Sequence, residues 1–365
     1  MFCNIIFTFI IIKCGEIRML GRTIKYFRLK NGKNTRELAM ATGLSEYVIK
    51  NYENGKRLPV LSEIRNIASA LNVNMSWLMS SYNHYKYRHG EFRKNSRFSK
   101  HSQEYIRISV EDYLDRFLTI ADILGSNVMR KVPEEHSILP TGDVESDASK
   151  LRDVLGLATT GAISNLIGSL EDKGILVYLL EYKDDKFSGM NGLVCNRPYV
   201  VLNSMATPER QRSTLAHELG HIFFSLPEDD NSEWEKYMTA ISGAFLFPAS
   251  DVFYELGNKR QAITADMLIV AKEYGISLQL LAKRANILKI INDDSYRNFN
   301  IMLSRHGLRK NEPSQMKMEE PTLFAQYVIR AVSEEKITYS KGAELLRMPY
   351  YDFEKKLSIN KSAWN

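Results

Sequence analysis

Between Leu20 and Met79 the apolar residues recur at helical spacing, in short runs separated by glycine-bearing turns, and nothing in this stretch alternates as a strand would. The pattern predicts a compact bundle of short amphipathic helices. Asn34-Thr35 supplies an N-cap ahead of Arg36-Glu37-Leu38-Ala39, Gly43 gives a turn, and Ser45 caps a second helix running to Asn54-Gly55. That is helix-turn-helix spacing. Leu38, Ala39, Leu44, Val48, Ile49, Tyr52, Ile64, Ile67, Ala68, Leu71, Trp77 and Leu78 take the apolar positions and are assigned to the core. The outward face of the second helix then carries Glu46, Tyr47, Lys50 and Asn51.

The rest of the chain mixes helical and strand periodicities. Residues 110–124 read as an amphipathic helix, and a loop rich in Pro, Gly, Asp and Ser at 139–149 marks a domain boundary. Helices are predicted near 148–155 and 162–172. Two strand-like runs follow, at 174–180 and 199–203, with Gly189 and Asn191-Gly192 punctuating a hairpin-type connection between them. The next helix opens with Thr207 as N-cap, Pro208 at its first position and Glu209 in its first turn, and it stops before Pro227. Residues 266–288 read as supporting helices turned by Tyr274-Gly275-Ile276-Ser277. Residues 337–346 resemble a second helix-turn-helix start without a convincing recognition helix after it, so an interaction surface is expected there.

Length and charge add partition and compartment. A chain of 365 residues with 44% hydrophobic content exceeds what one core usually organises, so two or three domains are expected. The formal charge of +6 is uneven: Lys86, Arg88, Arg93, Lys94, Arg97 and Lys100 fall in one stretch with His84, His89 and His101, which suits a polyanion partner on the N-terminal side. Cys3, Cys14 and Cys195 are too few and too scattered for a disulfide framework, which fits a reducing, cytoplasmic setting. The apolar run Phe2 to Ile12 is too short to span a bilayer and lacks the basic start of a secretory signal. Residues 1–18 are therefore expected to be a mis-called start or a disordered leader ahead of Met19, with a membrane-surface peptide as the alternative.

The chemistry concentrates in His217-Glu218-Leu219-Gly220-His221. Two histidines four apart on a helix share one face at the separation two ligands of one ion need, and Glu218 beside the first can reach a water at the open position. Such a pattern seldom arises by accident. The third ligand is sought among Glu233, Glu235 and the loop acids Glu228, Asp229 and Asp230.

Two resemblances complete the picture. Thr35-Arg36-Glu37-Leu38-Ala39, Gly43-Leu44-Ser45, Tyr52 through Arg57, Leu71-Asn72-Val73 and Trp77-Leu78 resemble the phage-repressor (XRE or Cro type) helix-turn-helix family. The resemblance implies a second helix in the major groove, with Tyr47 and Asn51, then Glu46, as base readers and Thr35, Lys50, Lys56 and Arg57 as phosphate contacts. Glu46 and Tyr47 stand where many such proteins place glutamine, so the operator is not readable. The segment from about 140 to 290 resembles the ImmA/IrrE metallopeptidase family, through Ala162 to Val177, Arg212 to His221, and Ala244-Phe245-Leu246-Phe247-Pro248. It departs from that family's common pattern at Tyr237-Met238, where Glu-Ala is usual. The resemblance implies Zn2+ held by His217, His221 and a glutamate at the place of Glu235, with Glu218 as the catalytic base. Helical phase agrees, because Thr239, Ser242 and Gly243 follow Glu235 on one face, small enough to approach the metal helix near Gly220. Glu233, about 200° around the helix, has a compatible row of its own through Tyr237, Ala240 and Ala244.

The expected fold is mainly α with a small α+β zincin-like domain. Its parts are the leader at 1–18, a helix-turn-helix domain at 19–80, a basic linker and connecting helix at 81–140, the metallopeptidase-type domain at 141–292 and a helical region at 293–365. The expected function is a DNA-binding transcriptional regulator whose zinc endopeptidase cleaves a regulatory protein, such as a repressor in a mobile-element or stress circuit. The alternative is a repressor or antitoxin whose metal domain senses a ligand or partner without hydrolysis. Operator DNA and a protein substrate or regulatory partner are the expected partners, a homodimer is a further candidate assembly, and no transmembrane segment is expected. The strand at 199–202 is a candidate edge for an extended peptide substrate.

Overall fold

The structure is a computed structural model that describes residues 19–90, 99–125, 127–184, 186–226, 231–308, 312, 314 and 316–362. The expected leader at 1–18 and the loop acids Glu228, Asp229 and Asp230 lie outside the described residues. The chain is mainly helical with a small sheet in its central part, and it divides into two compact units. One unit holds the chain up to Lys86, Arg97–Met129 and Thr322–Asn365; the other holds Tyr87–Ser96 and Arg130–Pro321.

In the first unit, helix α1 (residues 19–30) is followed by α2 (Thr35–Thr42), α3 (Glu46–Glu53), α4 (Leu61–Leu71) and α5 (Met75–Leu78). The caps are local sequence chemistry. Asn34 accepts from the Glu37 N–H while the Glu37 carboxylate accepts from the Asn34 N–H, a reciprocal capping box. Gly43 turns the chain in the left-handed region, φ 71°, and Ser45 accepts from the Val48 N–H to start α3. Ile24, Phe27, Leu38, Ile49, Tyr52, Ile67, Leu71 and Leu78 form the buried core. Gly21 is required where α1 crosses α3, because a Cβ there would lie 2.2 Å from the Tyr52 carbonyl oxygen.

The long α6 (Lys100–Leu124) extends well before the amphipathic stretch expected at 110–124 and carries Asp112 and Arg116 on its buried face. At the far end of the chain α15 (Leu323–Ser333), α16 (Tyr339–Leu345) and α17 (Tyr350–Ser362) belong to this same unit. The α16–α17 turn repeats that of α2–α3. The Met348 N–H bonds to the Ala343 carbonyl at 3.0 Å across Arg347 at φ 50°, as the Leu44 N–H bonds to Ala39 at 3.0 Å across Gly43. The helix-turn-helix look of residues 337–346 thus has a structural counterpart, with a second helix after it.

The second unit carries a sheet of order β1-β3-β4-β2, made of β1 (Tyr87–His89), β2 (Leu176–Leu180), β3 (Gly189–Val194) and β4 (Arg197–Asn203). β2 runs parallel to β4, while β3 is antiparallel to both β4 and β1. Two expectations change here. Asn191-Gly192 does not punctuate a turn but lies inside β3; the hairpin turns at Cys195-Asn196, both left-handed at φ 48° and 61°, a primed turn that matches strand twist. The strand at 199–202 is no edge, because β4 has partners on both sides and its residues are buried. Periodicity fixes a strand's faces, not its neighbours, and the free edge had to be found from tertiary pairing.

Against the sheet lie α8 (Leu166–Glu171) and α9 (Pro208–Phe223); α10 (Asn231–Leu246) packs on α9, and α7 (Val144–Val154) packs on α10. Behind them follow α11 (Ala249–Leu256), α12 (Ala265–Tyr274), α13 (Leu278–Ile287) and α14 (Asp293–Arg305). Val177, Val200, Leu202, Leu215, Leu219, Phe223, Met238 and Phe245 form part of one apolar core between sheet and helices. The basic stretch read as a linker contributes β1 to this sheet, and 91–98 lie outside the described residues.

Candidate metal centre and DNA-reading face

Helix α9 starts where Thr207 accepts from the Arg210 N–H and Pro208 takes the first turn. Its apolar face buries Leu215, Leu219 and Phe223, and this fixes the rotation that aims His217 and His221 the other way. Their Nε2 atoms are 3.1 Å apart. Helix α10 brings Glu235 to the same point: one carboxylate oxygen is 3.4 Å from His217 Nε2 and the other 3.3 Å from His221 Nε2. Among the described residues, His217, His221 and Glu235 form the group able to hold a metal ion.

The dimensions suit zinc. Bonds of about 2.0–2.1 Å in a tetrahedron place neighbouring ligand atoms about 3.3 Å apart, which these three separations approach before any ion is added. The two-histidine, one-carboxylate donor set leaves a fourth position open, as catalytic zinc sites do. Glu233 is exposed and not part of the group.

Two side chains around the site escaped sequence reasoning. Asn191 on β3 donates from Nδ2 to a Glu218 carboxylate oxygen at 2.7 Å, and Glu218 is itself buried. Thr239 places Oγ1 3.4 Å from His217 Nδ1 while donating to the Glu235 carbonyl at 2.8 Å, so one hydroxyl links two residues of this group. Thr239 stands four after Glu235, a spacing that signals a shared face; nothing local signals Asn191. The close approach to Gly220 is also not made by the small row Thr239, Ser242 and Gly243. Met238 makes it, since a Cβ on Gly220 would lie 2.6 Å from its sulfur, while Gly243 faces Leu280 and Arg284. A flexible thioether fills the space that the small-residue argument had left to backbone.

Tyr237 and Met238 thus both have structural work. Met238 closes the α9–α10 contact, and the Tyr237 hydroxyl donates to Asp147 at 2.6 Å. Burial raises the pKa of Asp147, but the bonds from Tyr237, from the Thr141 N–H and hydroxyl and from Lys150 together outweigh it and hold the carboxyl below the usual range.

On the helix-turn-helix face Tyr47 is 75% exposed and Lys50, Lys56 and Arg57 are exposed, while Thr35, Glu46 and Asn51 are half-buried. Glu46 accepts from the Thr35 hydroxyl at 2.9 Å and pairs with Lys50 at 2.6 Å. These expected base and phosphate contacts are therefore tied together. The Asn51 carbonyl receives the Lys56 and Arg57 N–H groups at 2.8 and 3.3 Å, which anchors the turn bearing both cations, and Arg57 lies 5.7 Å above the Tyr52 ring.

Comparison with known families matches residues 24–78 to the helix-turn-helix family model and residues 170–286 to the IrrE N-terminal-like domain. No curated protein and no solved structure matches the chain. The class is that of a DNA-binding regulator with a metallopeptidase-like domain. More particularly, the chain joins an XRE-type helix-turn-helix domain to an IrrE-like domain. Among the described residues no helix is long and apolar enough to cross a membrane.

Proposed function

We propose that this chain is a cytoplasmic transcriptional regulator that binds operator DNA through α3 and cleaves a regulatory protein at a zinc site of His217, His221 and Glu235. The observation that carries the peptidase reading is the convergence of these three side chains beside Glu218, next to a sheet strand. When bound, the zinc ion supplies Lewis acidity at the scissile carbonyl and an open position. Glu218 takes the proton of the attacking water and passes it to the leaving amine. Asn191 holds one Glu218 oxygen and so restrains the carboxylate beside the three side chains. The Thr239 hydroxyl, near His217 Nδ1, restrains that ring. The substrate is a regulatory protein such as a repressor within a mobile-element or stress circuit.

Glu218→Gln tests this reading: the variant retains zinc and DNA binding, and its turnover of a co-expressed substrate falls by about 100-fold or more. Full function of Glu218→Gln would make the metal domain a sensor and not an enzyme. For the helix-turn-helix face, we propose Tyr47 and Asn51 of α3 as base readers, Glu46 as a lesser one, and Thr35, Lys50, Lys56 and Arg57 as phosphate contacts. Asn51→Ala weakens cognate operator binding by about 1–3 kcal/mol and spares non-specific DNA, whereas Lys56→Ala weakens both. Equal losses on both DNAs for Asn51→Ala, measured by titration at fixed salt, would refute the groove assignment.

A further inference from the structure

The sheet of the matched domain has one strand that an extended substrate peptide could join beside the site. β3 packs on α9, and its Asn191 side chain reaches Glu218. β4 already covers one edge of β3, so the opposite edge is where main-chain pairing would hold a peptide within reach of Glu218. That edge is taken. β1 pairs along it antiparallel, Tyr87 with Val194, Arg88 with Leu193 and His89 with Gly192, and the Gly90 N–H continues to the Asn191 carbonyl at 2.9 Å. The family match begins at residue 170, so β1 comes from outside the matched domain.

The pairing is fitted and not incidental. A Cβ on Gly192 would lie 2.3 Å from the Tyr199 hydroxyl and 2.7 Å from the Arg88 carbonyl, and a Cβ on Gly90 would lie 2.6 Å from the Asn191 carbonyl. His89 Nδ1 is 2.6 Å from the Tyr199 hydroxyl, and Arg88 pairs with Glu135 at 2.8 Å. A peptide added outside β1 would lie one strand spacing, about 4.8 Å, further from Glu218, beyond the hydrogen-bond reach a general base needs.

We propose that residues 87–90 are an internal ligand of the peptide-binding edge: β1 occupies in cis the place on β3 that a substrate strand requires, and the peptidase is silent until β1 is displaced. The inference rests on the peptidase reading above and adds its regulation. A ladder of three residues is short enough for a longer peptide to exchange with it.

The experiment uses the full chain and two variants that dislodge β1 by different means. Arg88→Pro removes a backbone N–H from the ladder, and Gly90→Ala puts a Cβ against the Asn191 carbonyl. Hydrogen–deuterium exchange is followed at residues 189–194. A fluorescein-labelled synthetic peptide copying residues 85–90 is titrated by anisotropy into zinc-depleted and zinc-loaded protein, and fluorogenic casein reports hydrolysis. In both variants the β3 amides should exchange roughly ten-fold faster, the peptide should bind where wild type leaves it free, and zinc-loaded protein should cleave casein roughly ten-fold faster. Unchanged exchange in both variants, or peptide binding by wild type as tight as by the variants, overturns the internal-ligand assignment. Faster exchange and peptide capture with casein untouched by any of the proteins would support occupation of the edge and sink the peptidase reading instead.

Discussion

Glu233 and Glu235 are two residues apart on α10, yet their surroundings differ in kind. Glu235 faces two imidazole nitrogens at 3.3–3.4 Å, and Glu233 faces solvent. Removing one of three protein ligands lowers zinc affinity strongly, and removing a bystander does not. Glu235→Gln should therefore lose zinc on dialysis against a mild chelator while Glu233→Gln keeps it, as read by metal stoichiometry; the reverse pattern would transfer the third ligand to Glu233. At this scale the sequence was most legible where the signal was local. His217, Glu218 and His221 lie on one helix at fixed spacing, whereas helical phase left both Glu233 and Glu235 open and the choice of Glu235 rested on the family resemblance. Asn191 was unreadable because it meets Glu218 only once β3 has been laid against α9. Met238 was unreadable as the neighbour of Gly220 because side-chain size alone does not say which residue a facing helix presents.

Between elements, the contact of α6 with α15 and with the chain at the end of α16 combines charge with apolar surface. Phe324 of α15 packs edge-on against Tyr113 and Phe117, with ring centres 5.2 and 5.4 Å away. Beside them Asp112 accepts from the Tyr82 hydroxyl at 2.6 Å and pairs with Arg116 and Arg347. The Arg347 guanidinium lies 4.9 and 4.4 Å from the ring centres of Tyr26 and Phe27, so its plane rests on aromatic faces. Burial pushes the Asp112 pKa up, but Arg347 and then Arg116 outweigh it, and the carboxyl sits below its ordinary value. A folded-state pKa below the unfolded one contributes stability that is complete above the unfolded value, about 3.9, and is lost as pH falls through the folded value. Arg347→Leu should therefore destabilise this unit by about 3 kcal/mol at pH 7, the low end for a broken buried pair because Arg116 and Tyr82 still hold Asp112. The gap to wild type should begin to shrink as pH falls toward about 4, where the variant, without Arg347, takes up the Asp112 proton first, and should close only below the depressed wild-type value. Denaturant melts between pH 3 and 7 check this, and a gap independent of pH would show that Arg347 acts by packing alone. None of this could be read from residues 337–346, whose helical pattern was visible while Leu345 and the Arg347 just beyond it meet α6 at Arg116 and Asp112, more than two hundred residues earlier in the chain.

For the whole molecule, the order of elements along the chain is not the order of compact units. The helix-turn-helix segment at 24–78 was legible because its caps, turn and core are all local, and the metal motif was legible for the same reason. The grouping was not, because the unit that contains α3 is closed by α6 and by the last helices of the chain, with residues 130–321 of the other unit between them in sequence and its β1 ahead of α6. Loss of residues 322–365 should then act on the first unit although the cut lies far from 24–78. It strips Phe324, Tyr327 and Val328 from the face of α6 and takes away Arg347, leaving Asp112 and Arg116 with fewer partners in an opened core. Exposing one buried large apolar side chain costs about 1.5–3 kcal/mol, so uncovering Phe117 and its apolar neighbours on α6, together with the lost ion pair, removes a large part of the stability of an ordinary domain. A protein ending at Pro321 should show a lowered melting transition and weakened operator binding while it still takes up zinc, because His217, His221 and Glu235 belong to the other unit. Calorimetry with metal analysis measures both. An unshifted melt with full operator affinity would mean that residues 24–78 are independent of the C-terminal helices, and loss of zinc uptake would mean that the two units do not keep separate accounts of stability.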